Sequence, residues 1–151
     1  MRLAWAMVTV LVGTAAAAEA EEAPRPWMIA VEPALAHLHG DGVAGSVRVF
    51  RDLGAGGMLR AQLGLTGWAP GGALDAGIEA RFCRTCRVSP VLGVGGGLMG
   101  EDDYGGTFAR ATAGLEAALT PRLVLRATVQ AGTHDGQAGP HLAAVGFGWR
   151  F

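Results

Sequence analysis

The sequence predicts an all-β protein: an eight-stranded antiparallel up-and-down transmembrane β-barrel behind an N-terminal signal peptide. Three observations predict it. From residue 27 onward the chain divides into eight stretches in which apolar residues fall on one parity, the period of a β-strand with one apolar face. Half of the 151 residues are hydrophobic and 25 are glycine, with a mean hydropathy of +0.31. Yet after the first twenty residues no run of about 18 apolar residues offers a membrane helix. Finally, charge is confined to one parity of each stretch.

Residues 1–18 read as a signal peptide. Arg2 is the positive start, Leu3 to Gly13 a short apolar run, and Ala15 to Ala18 a small-residue cleavage pattern. Cleavage is expected after residue 18 or 20. Residues 19–25 then form a short periplasmic segment and 26–151 the barrel. No cysteine follows the apolar run, so no lipid anchor is expected. The twelve basic residues are all Arg and the formal net charge is −1, which gives no footprint for nucleic acid.

The first strand spans Trp27 to Leu38, with Trp27, Ile29, Val31 and Leu35 opposite Ala30, Glu32, Ala34 and Ala36. The second, Val43 to Phe50, sets Val43, Val47 and Val49 against Ser46 and Arg48. The third, Met58 to Gly67, sets Leu59, Ala61, Leu63 and Leu65 against Arg60, Gln62, Gly64 and Thr66. The fourth, Ala73 to Phe82, sets Leu74, Ala76, Ile78, Ala80 and Phe82 against Asp75, Gly77, Glu79 and Arg81. In the fifth, Val88 to Met99, Leu92, Val94 and Leu98 alternate with Gly93, Gly95 and Gly97. Pro90 sits near its start, where a missing N–H matters least. The sixth, Thr107 to Leu119, sets Ala109, Ala111, Ala113, Leu115 and Leu119 against Arg110, Thr112, Gly114 and Glu116. The seventh, Arg122 to Gly132, sets Leu123, Leu125, Ala127 and Val129 against Arg126, Thr128 and Gln130. The eighth is His141 to Phe151.

Turn residues separate them: His39 to Gly42, Asp52 to Gly57, Ala69 to Gly72, Cys83 to Arg87, Asp102 to Gly106, Thr120-Pro121 and Thr133 to Pro140. Both termini on one side require an even strand number. Eight crossings of about 10 residues use up the chain, and ten would leave each too short.

Periodicity does not say which parity is inside. A soluble lipocalin-like barrel would turn its charges out, and a membrane barrel would turn them in. Three features favour the membrane, one being the signal peptide taken with the terminal Phe151. Gly93, Gly95, Gly97, Gly114, Gly146 and Gly148 suit a narrow lumen beside bulky Arg. Trp27, Phe82, Trp149 and Phe151 fall at one end, as an interfacial girdle does.

The last stretch reads HLAAVGFGWRF, with Ala143, Val145, Phe147, Trp149 and Phe151 on one parity and the aromatic Phe151 at its end. In this it resembles the small bacterial outer-membrane β-barrel proteins, whose terminal strand alternates, ends in Phe and is read by the assembly machinery. No subfamily is identified. The resemblance implies a bacterial outer-membrane location with both termini periplasmic. Its expected partners are outer-membrane lipid and lipopolysaccharide, with the barrel assembly machinery acting through the C-terminal strand.

The inward set is expected to hold Glu32, Arg48, Arg60, Asp75, Glu79, Arg81, Arg110, Glu116, Arg122, Arg126 and Arg150. An eight-stranded interior is just wide enough for side chains. The leading expectation is therefore a salt-bridged plug in a barrel with a structural or surface-interaction role. The alternatives are a narrow anion-preferring channel for small solutes and a soluble periplasmic lipocalin-like binding barrel.

Cys83-Arg84-Thr85-Cys86 is a CxxC in a turn on the side of the termini, with no second CxxC and no βαβ context. A local disulfide between Cys83 and Cys86 is the expected form; a redox pair is the alternative. His37, His39, His134 and His141 should gather at the opposite rim if the first and last strands pair. They read as polar rim residues, or alternatively as a metal or proton-sensitive cluster. No metal or cofactor is assigned. Barrels of the lipid A deacylase kind use Ser, His and an acid at the outer rim. Here Ser46 falls mid-strand and Ser89 toward the periplasm, so no enzyme is expected.

Overall fold

The computed structural model describes residues 26–37, 41–54, 57–101, 104–134 and 137–151. The expected signal peptide, the segment 19–25 and His39 lie outside the described residues. Eight strands follow in order: β1 (Trp27–His37), β2 (Asp41–Leu53), β3 (Leu59–Trp68), β4 (Gly71–Arg81), β5 (Val88–Glu101), β6 (Tyr104–Ala118), β7 (Leu123–His134) and β8 (Gln137–Arg150). Each pairs antiparallel with its neighbours, and β1 pairs with β8 to close the barrel.

The parity rule decides every wall. Leu35, Val43, Leu65, Val94, Leu98 and Phe147 are exposed on the outside. Glu32, Arg48, Arg60, Asp75, Glu79, Arg81, Glu116 and Arg126 are all at least 95% buried in the lumen, and Arg110 is 92% buried. A soluble barrel requires the reverse, so the lipocalin-like alternative does not hold. The apolar outer wall and hydrogen-bonded closed sheet are what a hydrocarbon surround demands.

One register row runs from Trp27 through Arg51, Ala61, Ile78, Val94, Ala111, Ala131 and His141 to His37. It returns to β1 ten residues above its start, from 27 to 37. A stagger of that size over eight strands tilts them by about 40° and fixes a narrow interior. The termini meet at one end: Trp27 N–H donates to the Phe151 carbonyl (3.2 Å), and Phe151 N–H to that of Trp27 (3.0 Å). Trp27, Phe82, Trp149 and Phe151 face outward at this end, with the Arg51 guanidinium 5.1 Å above the Trp27 ring.

Three expectations are corrected. Most strands run further than expected. Asp41, Gly42, Gly71, Gly72, Gly105 and Gly106 are ladder residues, because each is held by a neighbouring strand, β1 for Asp41 and Gly42 and β5 for the four glycines. Arg122 is exposed in the β6–β7 turn, where Thr120 Oγ1 accepts from the N–H groups of Arg122 and Leu123 (3.2 and 2.9 Å). The turn begins two residues before the apolar alternation resumes, so Arg122 never enters the wall. Most of the inward glycines do not make room for Arg. A Cβ at Gly97 would stand 1.9 Å from the Leu74 carbonyl oxygen, and one at Gly146 2.1 Å from that of Val31. Tight wall curvature presses neighbouring backbones onto these positions. Gly64 alone among the inward glycines named by sequence fits the expectation: its Cβ would meet Arg48 Nη1 at 2.9 Å.

Candidate functional site: the buried ion-pair network of the lumen

Because β-strand side chains alternate, each strand sends every second residue into a space about two side chains across. Charges there lose water and must find one another. They do so in two layers.

The layer nearer the termini centres on Arg126 of β7. Its Nε donates to Glu32 of β1 (2.8 Å), Nη2 to Glu79 of β4 (2.8 Å) and Nη1 to Glu116 of β6 (2.9 Å). Arg60 of β3 joins two of these three carboxylates, donating through Nε to Glu79 (2.8 Å) and through Nη2 to Glu116. Glu116 also accepts from Arg81 (3.4 Å) and Arg150. It thus faces four guanidinium groups. The Phe50 ring lies 4.5 Å from the Arg126 guanidinium and 4.7 Å from that of Arg60, a double cation–π contact. Met28, Ala30 and Val124 pack with Phe50 as a small apolar floor. Arg81 also donates to the Gly57 carbonyl (3.0 Å) and stands 3.9 Å from Asp52.

The outer layer centres on Asp75 of β4. Arg48 Nη1 donates to it (3.0 Å), and Arg110 Nη2 donates from the other side. Arg48 Nε reaches down to Glu32 (3.2 Å), which ties the layers together. Gln130 Oε1 accepts from Arg110 (2.7 Å) and Arg48 (3.3 Å). Above this layer lies a cavity of about 30 Å³. Arg48, Asp75, Arg110 and Gln130 line it together with Trp68, Met99, Phe108 and Leu142.

Ten of the eleven charged residues expected in the lumen stand in this network, and Arg122 does not. Phe50 and Trp68 are additions that sequence reading did not single out. Their signal was present: each shares the parity of the charged residues of its own strand. An aromatic on a charged parity marks a side chain inside the lumen, Phe50 between two guanidinium groups and Trp68 against Ala34, Ala44 and Ala144.

The other expected features are placed as follows. Cys83 and Cys86 form a disulfide in the β4–β5 turn, and the Cys86 N–H donates to Cys83 Sγ (3.2 Å). His37 and His141 are direct cross-strand partners at the rim opposite the termini, as closure requires. His134 pairs with Phe108 and lies on the inward parity of β7, whereas His141 is exposed on the outer wall. Register therefore sets His134 apart from the His37–His141 pair. Among the described residues no three His, Cys, Asp or Glu side chains come together in a metal-binding arrangement. Ser46 donates to Glu32 (3.4 Å), and Ser89 Oγ accepts from the Cys83 N–H (3.1 Å). Ser89 and the rim histidines lie at opposite ends of the barrel.

No family model matches the chain, and no curated protein sequence is similar to it. Solved structures are similar in fold. Neisserial surface protein A superposes with a TM-score of 0.66 at 16% identity, over 83% of this chain and 96% of that one. The N-terminal β-barrel domain of Pseudomonas aeruginosa OprF gives 0.59 at 17%, over 82% and 97%. The outer membrane enzyme PagL gives 0.51 at 14%, over 81% and 99%. The chain therefore has the eight-stranded fold of small outer-membrane barrels, a fold that carries catalysis in at least one of them.

Proposed function

We propose, from the premise of that fold, that the protein is an integral outer-membrane barrel whose lumen is plugged by its own side chains. Its role in this reading is structural or in surface interaction. The observation that carries it is the Arg126 hub, which bridges carboxylates of three strands across the interior and is almost fully buried. Opening a path means stripping Glu32, Glu79 or Glu116 of a partner in a dry site. Breaking one such buried pair costs about 3–5 kcal/mol.

The same reading sets both termini in the periplasm and the apolar wall against outer-membrane lipid and lipopolysaccharide. The terminal strand is the element offered to the barrel assembly machinery. The protein is read as neither an enzyme nor a cofactor carrier. Ser46 is committed to the Glu32 side chain, and Ser89 lies at the end away from the histidines. Because an outer membrane enzyme has this fold, and the lipid A deacylase barrels are the enzymatic alternative that the sequence raises, release of acyl chains from lipopolysaccharide by the purified protein is the assay that would reverse the non-enzymatic reading.

The deciding experiment is single-channel recording in planar bilayers, and no steady conductance is expected. A steady, anion-selective conductance that disappears on Arg110→Ala or Arg126→Ala would replace the plug with the narrow channel. The excess of Arg over carboxylate in the outer layer favours that second reading.

A further inference from the structure

We propose that the outer layer of the lumen binds one small monovalent anion, held between Arg48, Arg110 and Trp68 in the cavity above Asp75. The first support is charge. Among the described lumen side chains of the layer near the termini, Arg60, Arg81, Arg126 and Arg150 face Glu32, Glu79, Glu116 and Asp52, four against four. In the outer layer, among the described side chains, Arg48 and Arg110 share Asp75 alone, since Glu32 is already matched below. Among the described lumen side chains one positive charge is left over, on guanidinium groups that are 98% and 92% buried. An uncompensated buried charge is among the costliest features a fold can carry.

The second support is an absence of acceptors. Arg110 Nε and Trp68 Nε1 are buried N–H groups with no acceptor, and both residues line the cavity. Buried donors of this kind are rarely left unmet. Each can only donate, so a shared occupant must accept. Water would satisfy a donor and leave the charge. A monovalent anion satisfies both.

Size narrows the occupant. About 30 Å³ holds one or two water-sized bodies, and the apolar lining of Trp68, Met99, Phe108 and Leu142 offers little hydration to a larger oxyanion. A halide fits, and chloride is the natural probe. The inference does not depend on whether the lumen conducts.

The test uses the mature protein refolded into micelles without chloride. Its urea unfolding is followed in sodium gluconate, chloride and bromide at constant ionic strength. The expected result is a saturable rise of the midpoint with either halide, by about 0.5–1 M urea at tenfold excess over the dissociation constant. Arg110→Gln removes the surplus charge and should abolish the halide dependence. Trp68→Phe keeps the charge and loses one donor, so half-saturation should need about tenfold more bromide. Crystals grown in bromide should show one anomalous peak between Arg48, Arg110 and Trp68, which decides the matter even if Arg110→Gln fails to refold. Equal midpoints in gluconate and chloride, an unchanged halide response in either variant, or a lumen without bromide would overturn the proposal and leave water as the occupant.

Discussion

Arg126 makes contacts that no lysine could copy, because three carboxylates on three strands need the planar fork of a guanidinium. Arg126→Ala leaves Glu32, Glu79 and Glu116 short of a partner. It should lower stability by about 3–5 kcal/mol, read as a fall in the urea midpoint of the refolded barrel. Phe50→Leu keeps every ion pair and removes the ring between two guanidinium groups. A loss of about 2 kcal/mol is expected from the same measurement. Sequence alone makes the ten networked charges legible, because alternation assigns their wall. It does not make their pairing legible. Which Arg meets which Glu depends on stagger between strands, and Arg126 and Glu32 lie 94 residues apart. Phe50 was hidden because an aromatic beside valines reads as part of the greasy face until its parity is counted.

At the scale of a strand, glycines divide into two kinds. Gly97 of β5 lies where a Cβ would collide with the β4 backbone, and Gly67 of β3 lies where a Cβ would meet nothing within 4 Å. Gly97→Val should therefore abolish the folded band on an unheated SDS gel, whereas Gly67→Ala should leave it in place. The turn disulfide tests a different link. Its loop is short, so Cys83→Ser with Cys86→Ser should cost about 2 kcal/mol and still fold. Strand centres were legible, and strand ends were not. Gly71-Gly72 and Gly105-Gly106 have turn chemistry, yet each pair finds partners in β5.

For the whole molecule, burial is inverted relative to a water-soluble protein, with Arg and Glu at the centre and Leu, Val and Phe outside. Extraction should therefore require detergent, and a folded sample should change mobility on boiling. Recovery as a monodisperse protein in plain buffer would contradict the membrane placement. The eight-stranded count was legible from length and alternation together. The side facing lipid was not legible from periodicity, which is blind to inside and outside. Glycine and the aromatic girdle tipped that decision, and the glycine argument reached the right wall through contacts that differ from those observed.

The seam between β1 and β8 carries a consequence for how the barrel forms. It joins residues more than a hundred positions apart, such as Ile29 and Trp149. Until β8 docks, β1 and β7 each present a bare edge of unpaired amides on a strongly curved ribbon. Such an edge is costly in hydrocarbon and invites pairing with other chains in water. Partial insertion is thus the worst of both solvents, and closure should behave as a single late event with slow, non-local kinetics. A synthetic peptide of residues 137–151 supplied during refolding should occupy the waiting edge of β1 and hold the ribbon open. Its dose dependence would time the zipping of the seam.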